Sequence, residues 1–131
     1  MKLKELMRFY FFADELERAL DRLALAAACR SGGSGRTGDY WAERIAVITD
    51  KKDKLNALWV YLNSVVSAFG REEKEFLKKY AAYRGGGRRD ALEDSLLKRV
   101  AVKFKRRAVR IENFKEELRT LKDCYCLIAP P

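Results

Sequence analysis

Four cations near the C-terminal end of this chain, Arg99, Lys103, Arg106 and Arg110, recur at steps of four, three and four. On an α-helix advancing about 100° per residue, their side chains fall within a sector of roughly 60° and form one positive ridge. Leu97, Val100, Phe104, Ile111, Phe114, Leu118 and Leu121 lie mostly off that sector. Such a helix packs against its own protein while its cations face outward. The chemistry open to the ridge is contact with a phosphate backbone, with these four residues as the central candidates. Lys98, Lys105 and Arg107 flank it, and Arg84, Arg88 and Arg89 stand upstream, within reach of an adjacent phosphate.

Catalytic chemistry has little to work with. The chain has no histidine, no Gly-x-Ser-x-Gly elbow and no carboxylate cluster on an apolar face, so a non-enzymatic protein is expected. Gly85-Gly86-Gly87 lacks the Gly-Lys-Ser/Thr ending of a phosphate loop and follows a helical pattern, so it reads as a loop or hinge. Cys29 is remote from Cys124 and Cys126, which are too close together to pair easily. Two thiols without histidine fall short of the four ligands zinc takes. Neither a metal nor a cofactor is expected, and reduced thiols fit a cytoplasmic protein.

The charge balance points the same way as the ridge. Twenty-eight Lys and Arg against nineteen Asp and Glu leave a formal charge of +9, which steers the molecule toward anionic partners. Between Arg84 and Arg110 there are ten basic and three acidic residues, so most of the excess sits there. The competing explanation is a solvated basic face that only keeps the protein in solution. No apolar run approaches the length of a membrane span, and charges at Asp14, Glu15 and Glu17 interrupt any signal-peptide core, so no membrane association is expected.

The elements that must position the ridge are long helices, because proline occurs only at 130 and 131 and glycine falls in two clusters plus Gly70. Leu3, Leu6, Tyr10, Ala13, Leu16, Leu20, Leu23 and Ala27 predict a first helix from about Lys2 to Cys29, with Phe9-Tyr10-Phe11-Phe12 presenting rings on every side. Those rings are expected to pack on helices two and three or on a partner rather than to stack on bases. A polar, glycine-rich loop over 31–38 follows, expected to be mobile, with Asp39 as N-cap of the next helix. There Trp41, Ile45, Ile48, Lys52, Leu55, Trp59, Leu62, Val66 and Phe69 alternate steps of four and three, a heptad seam with one charge in it. Roughly thirty residues of helix with so narrow an apolar face need a partner. An antiparallel hairpin with the first helix is the simplest arrangement, and the seam also suits a homodimer or a helical protein partner.

Beyond Gly70, a third helix is predicted over about Glu72 to Tyr83, burying Phe76, Leu77, Tyr80 and Tyr83. A last helical region runs from Arg88 or Arg89 to about Asp123, with an irregular tail from Cys124; whether a turn interrupts it near Ser95 is open. The expected fold is all-α: a hairpin scaffold over 1–70 packed with a basic helical module over 71–131, in one unit.

Arg71-Glu72-Glu73-Lys74-Glu75-Phe76-Leu77-Lys78-Lys79-Tyr80 resembles the opening helix of sigma-70 region 4 domains. A long helical hairpin ahead of it is similar to the small sigma-like regulators of phages and mobile elements. The resemblance covers part of 71–121 and implies a helix-turn-helix: Gly85 to Gly87 as first turn, Arg89 to Ser95 as short helix, Arg99 to Arg110 as recognition helix in the major groove. Two departures stand against it: no breaker separates Leu92 from Leu97, and Ala91-Leu92 replaces the usual Ile-Ala pair. The function expected is a DNA-binding transcriptional regulator, acting alone or docked on RNA polymerase. The alternative is a helical interaction or scaffold protein without nucleic-acid binding, and RNA is not distinguished from DNA at this level.

Overall fold

With no proline ahead of residue 130, nothing local prevents long helices from forming. The computed structural model describes residues 2–30, 38–82 and 91–125. Within them the chain is all-α: α1 (Leu3–Phe11), α2 (Ala13–Arg30), α3 (Gly38–Val66), α4 (Arg71–Ala82), α5 (Ala91–Arg107), a 3-10 turn (Ile111–Asn113) and α6 (Lys115–Cys124). None of these helices is long and apolar enough to cross a membrane. The 31–37 loop, Tyr83, Gly85 to Gly87 and Cys126 lie outside the described residues.

The hairpin forms as its periodicity requires, with α2 packed along α3. Trp41, Ile48, Leu55, Leu62 and Val66 are buried along the seam, and Phe69 is buried just past its end. Ile45, Lys52 and Trp59 are half-buried. The charge in the seam is answered across the hairpin, where the Lys52 ammonium pairs with Asp21. Asp21 raises the lysine's pKa, first through the hydrogen bond. Leu58 and Val65 lie off the seam, yet both are buried. Their burial follows from the packing of α1, α5 and α6, as well as α2, on α3. The buried seam residues are thus covered within one chain, while Ile45 and Trp59 keep part of their surface.

The predicted first helix is broken. At Phe12 the backbone leaves the helical region (φ −119°, ψ 26°), with Phe12 N–H donating to Arg8 O at 3.0 Å and Glu15 N–H to Phe12 O at 3.1 Å. Neither glycine nor proline causes this. Two side-chain bonds tie the break to its neighbours: the Trp59 indole donates to Tyr10 O of α1 at 3.0 Å, and Arg8 Nε of α1 donates to Ala81 O at the end of α4 at 3.0 Å. A helix terminus leaves carbonyls without intrahelical partners, and such bonds satisfy them. The break lets α1 pack on α4 while α2 follows α3.

At the other end of α3, helix stops at Val66 rather than at Phe69. Ser64 Oγ donates to Tyr61 O at 2.6 Å and Ser67 Oγ to Ser64 O at 3.0 Å, so serine hydroxyls take up carbonyls of the last turn. Gly70 then precedes α4, and its N–H donates to Glu73 Oε1 at 3.0 Å. That is the glutamate half of a capping box.

The largest correction concerns the C-terminal region. Leu92 to Leu97 lies within continuous α5, so among the described residues no turn falls near Ser95, and the segment 91–95 runs on without interruption into Arg99. Leu96, half-buried against the core, and the buried Val100 and Phe104 form one inward stripe at a step of four, which favours an unbroken helix through Ser95 to Phe104. Nor does that helix run on to Asp123. It ends at Arg107, and a turn through Ala108–Phe114 leads into α6. Ala108 N–H donates to Phe104 O, Ile111 N–H to Ala108 O and Phe114 N–H to Ile111 O, at 2.8, 3.1 and 3.0 Å. Cys124 closes α6 and is buried, so it belongs to the fold rather than to an irregular tail.

Candidate nucleic-acid interface

The basic face rests on α5. Val100 and Phe104 turn inward; Lys98, Arg99, Lys105 and Arg106 lie on the outward side, and Lys103 and Arg107 border the buried stripe, with no carboxylate among them. All except Lys103 are exposed. Lys98, Arg99, Lys103, Arg106 and Arg107 line one shallow depression around Val102, whose side chain is 52% exposed. Of the predicted flanking cations, Arg88 and Arg89 lie outside the described residues, as does Arg84.

Two ridge residues occupy positions different from those expected. Arg110 is not on the helix; it lies in the turn after α5, and its N–H donates to the Tyr61 hydroxyl at 3.1 Å. The Tyr61 ring stacks on Phe114 at 4.7 Å and 24°, fastening the turn to α3. Arg110 stays exposed beside Arg107 and Val109 at a second shallow depression, so the positive face continues around the end of α5.

Lys103 is already engaged inside the protein. Its ammonium lies 2.8 Å from Glu73 Oε1 and 5.1 Å from the centre of the Phe69 ring. Glu73 is only 14% exposed and also accepts the Gly70 N–H. The Lys103 hydrogen bond, then the Gly70 N–H, hold its carboxyl below the ordinary carboxylate range, and Arg99 adds to this at longer reach. Lys103 is therefore the link that fixes α5 to the start of α4, while Arg99 and Arg106 remain on the outward side of that link. Periodicity put these three residues on one ridge and did not reveal the division of roles.

Glu73, Tyr61 and Val102 were missed. Glu73 had a sequence signal, since it stands three residues after Gly70 at a helix start. Tyr61 and Val102 had none, because their roles depend on how α5 and its turn lie against α3.

Lys105, Arg106 and Arg107 also occupy the last turn of α5, where cations offset the negative partial charge of a helix C-terminus. That accounts for part of the cluster without any ligand. Mid-helix Lys98 and Arg99 receive no such benefit. The fold defines an all-α helical bundle bearing one basic helix face. Comparison with protein families, characterised proteins and solved structures gives no match to this chain.

Proposed function

We propose that the protein binds duplex DNA through the exposed face of α5 and acts as a non-enzymatic regulator of transcription. The observation that carries this reading is the run of cations from Lys98 to Arg107, uninterrupted by acid and exposed except at Lys103. Phosphate contacts of this kind release counterions, so binding falls steeply with salt. The similarity of Arg71 to Tyr80 to the opening helix of sigma-70 region 4 lends support to the regulatory role. Contact through one continuous basic helix replaces the helix-turn-helix geometry that the similarity implied.

The test is fluorescence anisotropy of a labelled duplex over a salt series, with Arg99→Gln and Arg106→Gln alongside the parent. Each variant is expected to weaken binding and to reduce the slope of log K against log salt by about one. Absence of binding at low salt would overturn the proposal. Val102 and Val109, at 52% and 71% exposure, favour a second reading in which the same face receives an acidic amphipathic helix. In that case Val102→Ser weakens partner binding, and the duplex gives no salt-dependent signal.

A further inference from the structure

Beside the break at Phe12 lies a cleft of about 540 Å³ between the end of α1, the start of α2 and the middle of α3. We propose that this cleft binds an organic cation, a guanidinium or alkylammonium group carried on an apolar stem. Its volume falls within the range of small-molecule sites. Tyr10, Phe11 and Trp59 supply aromatic wall, and Asp14, Glu17 and Asp53 supply carboxylates.

The rings are held in place before any ligand arrives. Tyr10 and Trp59 stack with centres 5.4 Å apart and planes 15° from parallel. The Trp59 indole N–H donates to Tyr10 O, and the Tyr10 hydroxyl donates to Asn63 Oδ1 at 2.7 Å. Phe11 meets Tyr10 edge-on at 4.9 Å and 79°. All three rings are half-buried, so each keeps surface to offer.

The electrostatics select the sign of the ligand. Asp14, Glu17 and Asp53 are exposed, and among the described residues none of them forms an ion pair. Among the described residues Lys52 is the one cation lining the cleft; Asp21 pairs with it and Glu17 and Asp53 act on it at longer range, so three lining carboxylates stand against one ammonium that already has a partner. A net negative cleft therefore persists on a chain of charge +9. An anion is repelled there, and a neutral apolar molecule leaves the carboxylates without a partner. A cation on an apolar stem meets both features, with its charge near a ring face and a carboxylate and its stem against the rings.

The experiment titrates n-hexylguanidinium, and its neutral analogue n-hexylurea, into the full chain carrying Trp41→Phe, so that Trp59 is the only indole. Emission and the indole N–H resonance of Trp59 are followed at constant ionic strength. The cation is expected to shift both saturably and to bind about tenfold more tightly than the urea, in line with combined ring and carboxylate contacts. Asp14→Asn and Asp53→Asn are each expected to weaken the cation about two- to fivefold and to leave the urea unchanged. Both carboxylates are exposed, and far-UV circular dichroism verifies that the variants fold. Equal affinity for cation and urea, no effect of the carboxylate variants, or no saturable shift at Trp59 would each overturn the proposal.

Discussion

Glu73 joins three parts of the molecule through one carboxylate: the Gly70 turn, α4 and, by Lys103, the basic helix. Hydrogen bonds to a charged group are each worth more than neutral ones, and this carboxylate is shielded more than most surface groups. Glu73→Ala is expected to cost about 1–2 kcal/mol near neutral pH, measured by urea unfolding. Its pKa is lower in the folded protein than in the unfolded chain. The stabilisation is accordingly complete above the ordinary carboxylate range and is lost as pH falls through the lowered value. Parent and variant curves therefore converge in acid, and a gap that stays constant to low pH would assign the loss to packing. Lys103→Gln should share most of this destabilisation and couple to Glu73→Ala in a double-mutant cycle. Because Lys103 already has an internal partner, its substitution is expected to change the salt slope of DNA binding less than Arg106→Gln does.

At the scale of elements, legibility followed the kind of force involved. The α3 seam was readable because burial repeats every seven residues, and its chain partner followed from length alone. Neither the break at Phe12 nor the turn at Ala108–Phe114 contains glycine or proline, and both lie inside sequences whose apolar spacing continues in phase. Contacts distant in sequence terminate these helices: Trp59 at Tyr10 O, and Tyr61 at the Arg110 N–H. A one-dimensional pattern carries no trace of either. The candidate site was legible as a charged face, since charge and helical period are both local. The engagement of Lys103 and the placing of Arg110 in a turn were not, as they depend on α4 and α3. Tyr61→Phe retains the ring that stacks on Phe114 and removes the acceptor for Arg110. It is expected to cost about 1 kcal/mol and to speed amide exchange at 108–114 more than in α4. Uniform acceleration through the molecule would mean that the hydroxyl does not hold the turn.

Across the whole molecule, burial is uneven. Helices α1, α4, α5 and α6 gather with α2 as far as Leu20 and α3 from Ile48 onward around one cluster that includes Phe9, Leu16, Leu58, Leu62, Leu77, Val100 and Leu121. Toward the loop end of the hairpin, Ala27 and Trp41 are buried outside that cluster, while Leu23, Leu25 and Val47 remain exposed. Among the described residues, α2 packs chiefly along α3. A two-helix stretch with one apolar stripe has little to set against the entropy of fixing its backbone. It should therefore open without unfolding the rest. Native-state hydrogen exchange is expected to show residues 22–30 and 38–47 exchanging through local opening, with less dependence on urea than the amides of Leu58, Leu62 and Leu77. Trp41 and Trp59 report the two ends separately: quenching of Trp41 by acrylamide should rise at urea concentrations where Trp59 is still protected. Coincident transitions at the two tryptophans would instead make the hairpin and the cluster one cooperative unit. The basic face and the aromatic cleft both lie on segments tied to the cluster, so opening of the hairpin's loop end should leave binding at either one unchanged.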